Sequence, residues 1–180
     1  MSKKVVVIST SLRRRSNSAL LAAAFAEGAR KAGNDVEEIT LDGKKIAFCT
    51  GCLACQRTGH CVINDDAVTI EQSVVEADVV CWATPIYYYE MSGQMKTLID
   101  RLNPMFPKDY KFRDIYFLAT AADDGDYTPE RAIAGLQGWI DCFEKASLKG
   151  TVFCGGVDAP GTAVQKPDKV REAFNMGAGV

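Results

Sequence analysis

The chain alternates short apolar runs with longer segments in which apolar residues recur every three or four positions. The short runs are rich in β-branched residues and bounded by turn residues, which is typical of buried strands. Five runs are predicted as strands: Lys4–Ser9, Asp35–Thr40, Ala77–Ala83, Asp114–Thr120 and Leu148–Gly155. Five segments are predicted as helices: Ser16–Ala32, a segment capped by Asp65 or Asp66 and reaching Glu76, Gly93–Leu102, Thr128–Lys145 and Pro167–Asn175. This alternation predicts an α/β fold, a doubly wound five-stranded parallel sheet with helices on both faces.

Length and composition narrow the class of protein. The 180 residues, 47% hydrophobic and 24% charged, suit a single globular domain spanning residues 1–180. A net charge of −2 argues against a nucleic-acid binder. The sequence has neither a signal-peptide pattern nor an apolar run long enough to span a membrane. We therefore expect a cytoplasmic protein without nucleic-acid or membrane partners.

Three polar loops directly follow predicted strands, at Thr10–Ser18, Pro85–Ser92 and Ala121–Asp126. The carboxyl ends of parallel strands meet at one edge of the sheet, where ligands bind at the point of strand-order reversal. The first loop also leads into a helix, whose free N–H groups and dipole favour an anion such as phosphate. Candidate phosphate-binding residues there are Ser11, Arg13, Ser16, Asn17 and Ser18. The alternative is a solvated turn with a helix cap at Ser16 or Ser18.

Two segments resemble the flavodoxin-like NAD(P)H-dependent FMN reductases, and within them the iron–sulfur flavoproteins. The first loop is similar to their Gly-Ser-x-Arg-x-x-Gly-Asn-Thr/Ser pattern, with Thr10 and Ser16 in place of the glycines. Residues 85–101 are similar to their Pro-x-Tyr and Lys-x-x-x-Asp-Arg pattern. The resemblance implies a flavodoxin-like fold and FMN as the cofactor.

An FMN ring needs flat apolar surface and backbone donors. On the resemblance, these come from the second and third loops, at Pro85, Ile86, Tyr87, Tyr88, Ala121 and Asp123. The alternative for the tyrosines is packing in the core or at a subunit interface. No catalytic residue is assigned.

Four of the seven cysteines are spaced C-x2-C-x2-C-x5-C, at Cys49, Cys52, Cys55 and Cys61. Four thiolates are the usual ligand set of an iron–sulfur cluster, and the spacing matches that of the iron–sulfur flavoproteins. A [4Fe–4S] cluster, a zinc ion, and free thiols or a redox disulfide all stay open. The other three, Cys81, Cys142 and Cys154, are expected to be small buried hydrophobic residues.

Three functions follow. The first is an FMN-dependent oxidoreductase that passes electrons from NAD(P)H or a protein donor to a small acceptor such as a quinone or flavin. The second is an iron–sulfur flavoprotein that carries electrons between ferredoxin-like partners, and the third is a flavin- or phosphate-binding sensor. The resemblance also implies a homo-oligomer, either a dimer or a tetramer.

Overall fold

The structure, a computed structural model, describes residues 2–180. The strands are β1 (Lys4–Ser9), β2 (Asp35–Thr40), β3 (Val79–Tyr87), β4 (Glu90–Met91), β5 (Asp114–Thr120) and β6 (Ser147–Cys154). The helices are α1 (Asn17–Lys31), α2 (Ala54–Thr58), α3 (Asp66–Glu76), α4 (Gly93–Arg101), α5 (Glu130–Ile140) and α6 (Pro167–Ala178). Within the described residues, none of these helices has the length and apolar character needed to cross a bilayer.

The sheet confirms the predicted doubly wound parallel architecture. Five strands run parallel in the order β2-β1-β3-β5-β6, so the strand order reverses between β1 and β3. The predicted strand count of five is wrong, because a sixth strand, β4, pairs antiparallel with the end of β3. β4 is two residues long and pairs only through Ile86–Met91 and Tyr87–Glu90, too short a run to show an alternating pattern.

Two predicted boundaries are also wrong. The third strand was expected to end at Ala83, but β3 continues to Tyr87, with Pro85 in register with Thr120 of β5. Proline is tolerated there because pairing with β1 has already stopped at Ala83, so the missing N–H interrupts no ladder on that side. The long helix was expected to reach Lys145, but α5 ends at Ile140.

Apolar side chains pack on both faces of the sheet. One face is covered by α3, α4 and α5 and the other by α1 and α6, which buries Val6 and Ile8 on the first face and Val5 and Val7 on the second. Cys81 and Cys154 are buried in the second layer as expected, whereas Cys142 is exposed, because the chain has already left α5 before reaching it. Because helices cover both faces of the sheet, the ends of the strands are where loops can form a site.

Helices α1 and α6 pack so closely that only glycine fits at their contact. A Cβ at Gly28 would overlap the carbonyl oxygen of Phe174 and lie 2.8 Å from the backbone nitrogen of Ala178. We expect Gly28→Ala to lower the free energy of unfolding by at least about 1–3 kcal/mol, because the helices must separate. Gly138→Ala is the matched control: a Cβ there meets nothing within 4 Å, so the free energy of unfolding should stay level or rise by up to about 1 kcal/mol. Urea denaturation of both variants measures the difference, and equal stabilities would contradict the close contact.

Candidate functional site

Four loops meet at the carboxyl edge of the parallel strands. The backbone N–H of Thr10, after β1, donates to the carbonyl of Ala83 in β3 at 2.9 Å. The backbone N–H of Val157, after β6, donates to the carbonyl of Ala121, after β5, at 2.9 Å. The guanidinium of Arg13 donates to the carbonyl of Asp158 at 2.7 Å and joins the first loop to the fourth. The three loops named from the sequence are therefore brought together, along with a fourth that sequence reasoning missed.

The start of α1 forms a polar cradle. Ser16 caps the helix, its Oγ accepting the N–H of Ala19 at 3.3 Å, and its hydroxyl lies 3.0 Å from that of Ser18. Within residues 2–180 the backbone N–H groups of Asn17 and Ser18 have no protein acceptor. The side chains of Ser11, Ser16 and Ser18 are buried around them. Free N–H donors, nearby hydroxyls and the positive end of a helix dipole suit a phosphate group.

Asn17 and Arg13 brace this cradle. The Asn17 amide donates to the carbonyls of Val157 and Ala159 at 3.2 and 3.0 Å, and its oxygen accepts the N–H of Ala163 at 3.0 Å. Because the side chain of Asn17 is already hydrogen-bonded, only its backbone N–H is free to bind an anion. Arg13 reaches the same fourth loop through Asp158, so both residues fix the loop after β6 beside the cradle.

The tyrosine loop is a strained hairpin between β3 and β4. Tyr88 and Tyr89 have φ of 51° and 66°, a conformation that costs about 1–3 kcal/mol for each non-glycine residue. Ile86 is buried beneath the turn, whereas Tyr87 is half-exposed and Tyr88 is 97% exposed. The turn therefore holds apolar and aromatic surface outward at the sheet edge.

Asp123 ties the third loop together and joins it to the second. Its carboxylate accepts the N–H of Gly125 at 3.2 Å and the hydroxyl of Thr128 at 3.0 Å, which lowers its pKa. The hydroxyl of Tyr127 donates to the same carboxylate, and the Tyr127 ring stacks on Tyr89 with centroids 6.0 Å apart. Ala121 is buried at the base of this loop. The carboxylate of Asp123 thus shapes the wall of the site.

An apolar pocket lies beside the tyrosine loop, at the ends of β1, β2 and β3. Its volume is about 550 Å³, which suits a small organic molecule. Its apolar walls are Leu12, Leu41, Ile46, Phe48 and Tyr87. Leu12 and Tyr87 also belong to the first and second polar loops, so the pocket adjoins the cradle and the hairpin.

The four spaced cysteines come together at one small cavity of about 30 Å³. Its lining includes Cys49, Cys52, Cys55 and Cys61 together with Arg101 and Asn103. The Asn103 amide donates to the sulfur of Cys55 at 3.1 Å, and the N–H of Gly51 donates to that of Cys49 at 3.4 Å. Donors to sulfur of this kind support thiolate ligands.

The cysteine cavity has the number of thiols that an iron–sulfur cluster takes. Across residues 2–180, no three His, Cys, Asp or Glu side chains are close enough together to ligate one metal ion. An iron–sulfur cluster instead takes its thiolates on separate irons, and four cysteines around one cavity supply that set. The cavity has room for only one or two water molecules, so a cluster of eight atoms requires the exposed Cys49 and Cys52 to move outward.

Other residues close to these loops have structural roles. Lys96 and Asp100 form an ion pair on α4, at 2.6 Å. Trp82 is fully buried and packs edge-on against Trp139 in the core.

A family model described as NADPH-dependent FMN reductase matches residues 3–139. The chain belongs to the NADPH-dependent FMN reductase family. Two curated relatives of this family member carry the name iron-sulfur flavoprotein. One, from Archaeoglobus fulgidus, is 39% identical over 101 residues, covering 56% of this chain and 46% of the relative. The other, from Methanosarcina thermophila, is 32% identical over 138 residues, covering 76% of this chain and 72% of the relative.

Solved structures agree on the fold. The NAD(P)H:quinone oxidoreductase from Methanothermobacter marburgensis aligns with a TM-score of 0.75 at 17% identity, covering 99% of this reductase-family chain and 96% of that one. The azoreductase AzrA aligns with a TM-score of 0.73 at 17% identity. At such identity the likeness establishes the flavodoxin-like fold. The alignments with the first curated relatives span only about half of those proteins.

Proposed function

We propose that the chain is an FMN-dependent oxidoreductase. The observation that carries this proposal is the cradle at the start of α1, where the free N–H groups of Asn17 and Ser18 lie among buried hydroxyls at the sheet edge. FMN, when bound, supplies the ring that accepts and passes on electrons. The family of the chain gives independent support for this cofactor.

Each loop has a distinct part in holding FMN. The hydroxyls of Ser11, Ser16 and Ser18 and the N–H groups of Asn17 and Ser18 bind the phosphate, while Arg13 and Asn17 fix the neighbouring loop. The ring would be held by two further groups of residues: Pro85, Ile86, Tyr87 and Tyr88 in the hairpin, and Ala121 and Asp123 after β5. The hairpin would supply flat apolar surface for the ring.

The electron donor is NAD(P)H or a ferredoxin-like protein, and the acceptor is a small molecule such as a quinone or free flavin. The 550 Å³ pocket supports a small acceptor, because its apolar walls adjoin the hairpin at Tyr87. An acceptor bound there lies beside the ring that the hairpin holds.

A steady-state assay tests this function. The purified protein should bind one FMN per chain and oxidise NADPH or NADH when a quinone is supplied. Protein that binds no FMN after incubation with excess cofactor would contradict the proposal. Protein that binds FMN but accepts electrons only from reduced ferredoxin would favour the electron-carrier alternative.

The second candidate is an iron–sulfur flavoprotein that carries electrons between ferredoxin-like partners. It is favoured by the four cysteines that line one cavity, and the curated relatives bear this name. Cys49, Cys52, Cys55 and Cys61 would then hold a [4Fe–4S] cluster. Iron and acid-labile sulfide in anaerobically prepared protein test this candidate: Cys52→Ser should remove the iron and leave FMN in place.

We further propose that the chain forms one cytoplasmic domain and assembles as a homodimer or homotetramer. Tyr88 is 97% exposed and Phe106 is 58% exposed, and aromatic side chains of this kind are enriched at subunit interfaces. Light scattering at micromolar concentration should give a mass of two or four chains of 19.6 kDa. A monomeric mass would contradict the assembly.

A further inference from the structure

Arg101 is a charged residue buried inside the fold. It ends α4, the helix that begins just after the tyrosine hairpin, and its side chain is fully buried. A buried charge is unfavourable unless it is paired and hydrogen-bonded. The contacts of Arg101 therefore indicate what the charge is for.

The guanidinium joins the two ends of the cysteine loop. It donates to the carbonyl of Ala47 at 2.8 Å and to that of Ile63 at 3.0 Å, on either side of the four cysteines. It also makes a two-pronged ion pair with Asp65, at 2.7 and 2.9 Å. Asp65 in turn accepts the N–H of Ala47 at 2.8 Å and caps α3. The pair of Arg101 and Asp65 thus closes the loop at its base.

The same side chain lines the cysteine cavity and has one donor unused. Arg101 lines that cavity, and within residues 2–180 its buried Nε–H has no acceptor. An anionic group in the cavity would supply the missing acceptor.

We propose that Arg101 is a positioning residue for an anionic iron–sulfur cluster held by Cys49, Cys52, Cys55 and Cys61. The inference rests on the second candidate function. Arg101 has two separable effects: its forked hydrogen bonds hold the loop closed, and its positive charge and spare N–H stabilise the cluster. Because a reduced cluster is more negative than an oxidised one, the charge raises the reduction potential.

Two variants separate these effects. Arg101→Lys keeps the charge and loses the fork, so iron should be lost to a chelator about ten- to a hundredfold faster while the potential stays near that of the wild type. The double variant Asp65→Asn with Arg101→Gln removes both charges and leaves neutral hydrogen-bonding groups. Because Arg101 lines the cavity and Asp65 does not, the loss of the positive charge should dominate and the potential should fall. The matched control is Lys3→Gln with Asp114→Asn, which neutralises a 3.2 Å ion pair at the opposite edge of the sheet.

The readouts are iron and sulfide per chain after anaerobic reconstitution, the cluster potential from a dye-mediated titration, and the rate of iron loss to the chelator. Thermal melts identify any variant that fails to fold, and Arg101→Lys then tests the clamp alone. The role of Arg101 would be overturned if the double variant kept the wild-type potential, or if Arg101→Lys lost iron at the wild-type rate. Either result would still be compatible with a bound cluster. Wild-type protein that takes up no iron would overturn both, and FMN content with NADPH oxidation on the same sample shows whether the reductase function survives.

Discussion

Replacing Ser16 with aspartate should weaken FMN binding by at least about a hundredfold without unfolding the protein. Aspartate is as good a helix cap as serine, so it can keep the bond from the N–H of Ala19. Its carboxylate, however, would enter the cradle that is proposed to hold the phosphate. Two unit charges about 4 Å apart near a protein surface repel by roughly 4 kcal/mol, enough to expel the phosphate.

Two comparisons isolate the charge. Ser16→Asn adds similar bulk and caps α1 equally well, so its dissociation constant for FMN should stay within a few-fold of the wild-type value. Riboflavin lacks the phosphate, so it should bind more weakly than FMN to the wild type. Its dissociation constant should be the same for the wild type and for Ser16→Asp. Fluorescence titration measures both flavins. A Ser16→Asp variant that binds FMN as the wild type does would place the phosphate elsewhere.

Replacing Arg101 with methionine should lower the free energy of unfolding by about 3–5 kcal/mol at neutral pH. Methionine fills much of the volume but leaves the Asp65 carboxylate, which is largely buried, without its partner. It also removes the bonds that hold Ala47 and Ile63. Arg30→Met is the matched control: its 2.6 Å ion pair with Glu38 is exposed, and its loss should cost less than about 1 kcal/mol.

The loss should shrink in acid. Burial acts to raise the pKa of Asp65, but hydrogen bonds from Arg101 and the N–H groups of Ala47 and Ala67 outweigh it, so the folded pKa is lowered. The stability that Asp65 contributes is therefore fully present above its unfolded pKa of about 4 and is lost as the pH falls through the lowered folded value. Without Arg101, the carboxyl takes up a proton at higher pH, which relieves its unpaired charge. Urea denaturation of wild type and Arg101→Met between neutral pH and about pH 4 measures the trend, and a constant difference would contradict it.

The centre of the sheet was predictable because β1, β3 and β5 are mostly buried and read as apolar runs. β2 is found where it was predicted, at Asp35–Thr40. The hairpin was not predictable, because its turn has tyrosines where glycine or asparagine is usual and its second strand is two residues long. Its geometry depends on contacts with the neighbouring loop, such as the stacking of Tyr89 on Tyr127.

The residues of the candidate site could be predicted from the sequence, but the role of each residue could not. Polar residues directly after the predicted strands indicated that three loops would meet at the carboxyl edge of the sheet. The sequence could not show that the Asn17 side chain is taken up by the loop after β6, since its partners lie more than a hundred positions away. Arg101 was visible as part of an Asp-Arg pattern, but its partner Asp65 was recognised only as a helix cap. The turn residues Gly155 and Gly156 directly follow β6, and they are the signal from which the fourth loop could have been found.

The closure of the cysteine loop by Arg101 and Asp65 has an evolutionary consequence. Because Ala47 and Ile63 both bond to Arg101, the intervening segment leaves and re-enters the fold at almost the same point. Loop-closure entropy changes only slowly with length, so such a segment can be shortened, lengthened or exchanged at little cost to the sheet. We expect related chains to differ in the length and composition of this segment, while the cradle at the start of α1 and the tyrosine hairpin remain unchanged.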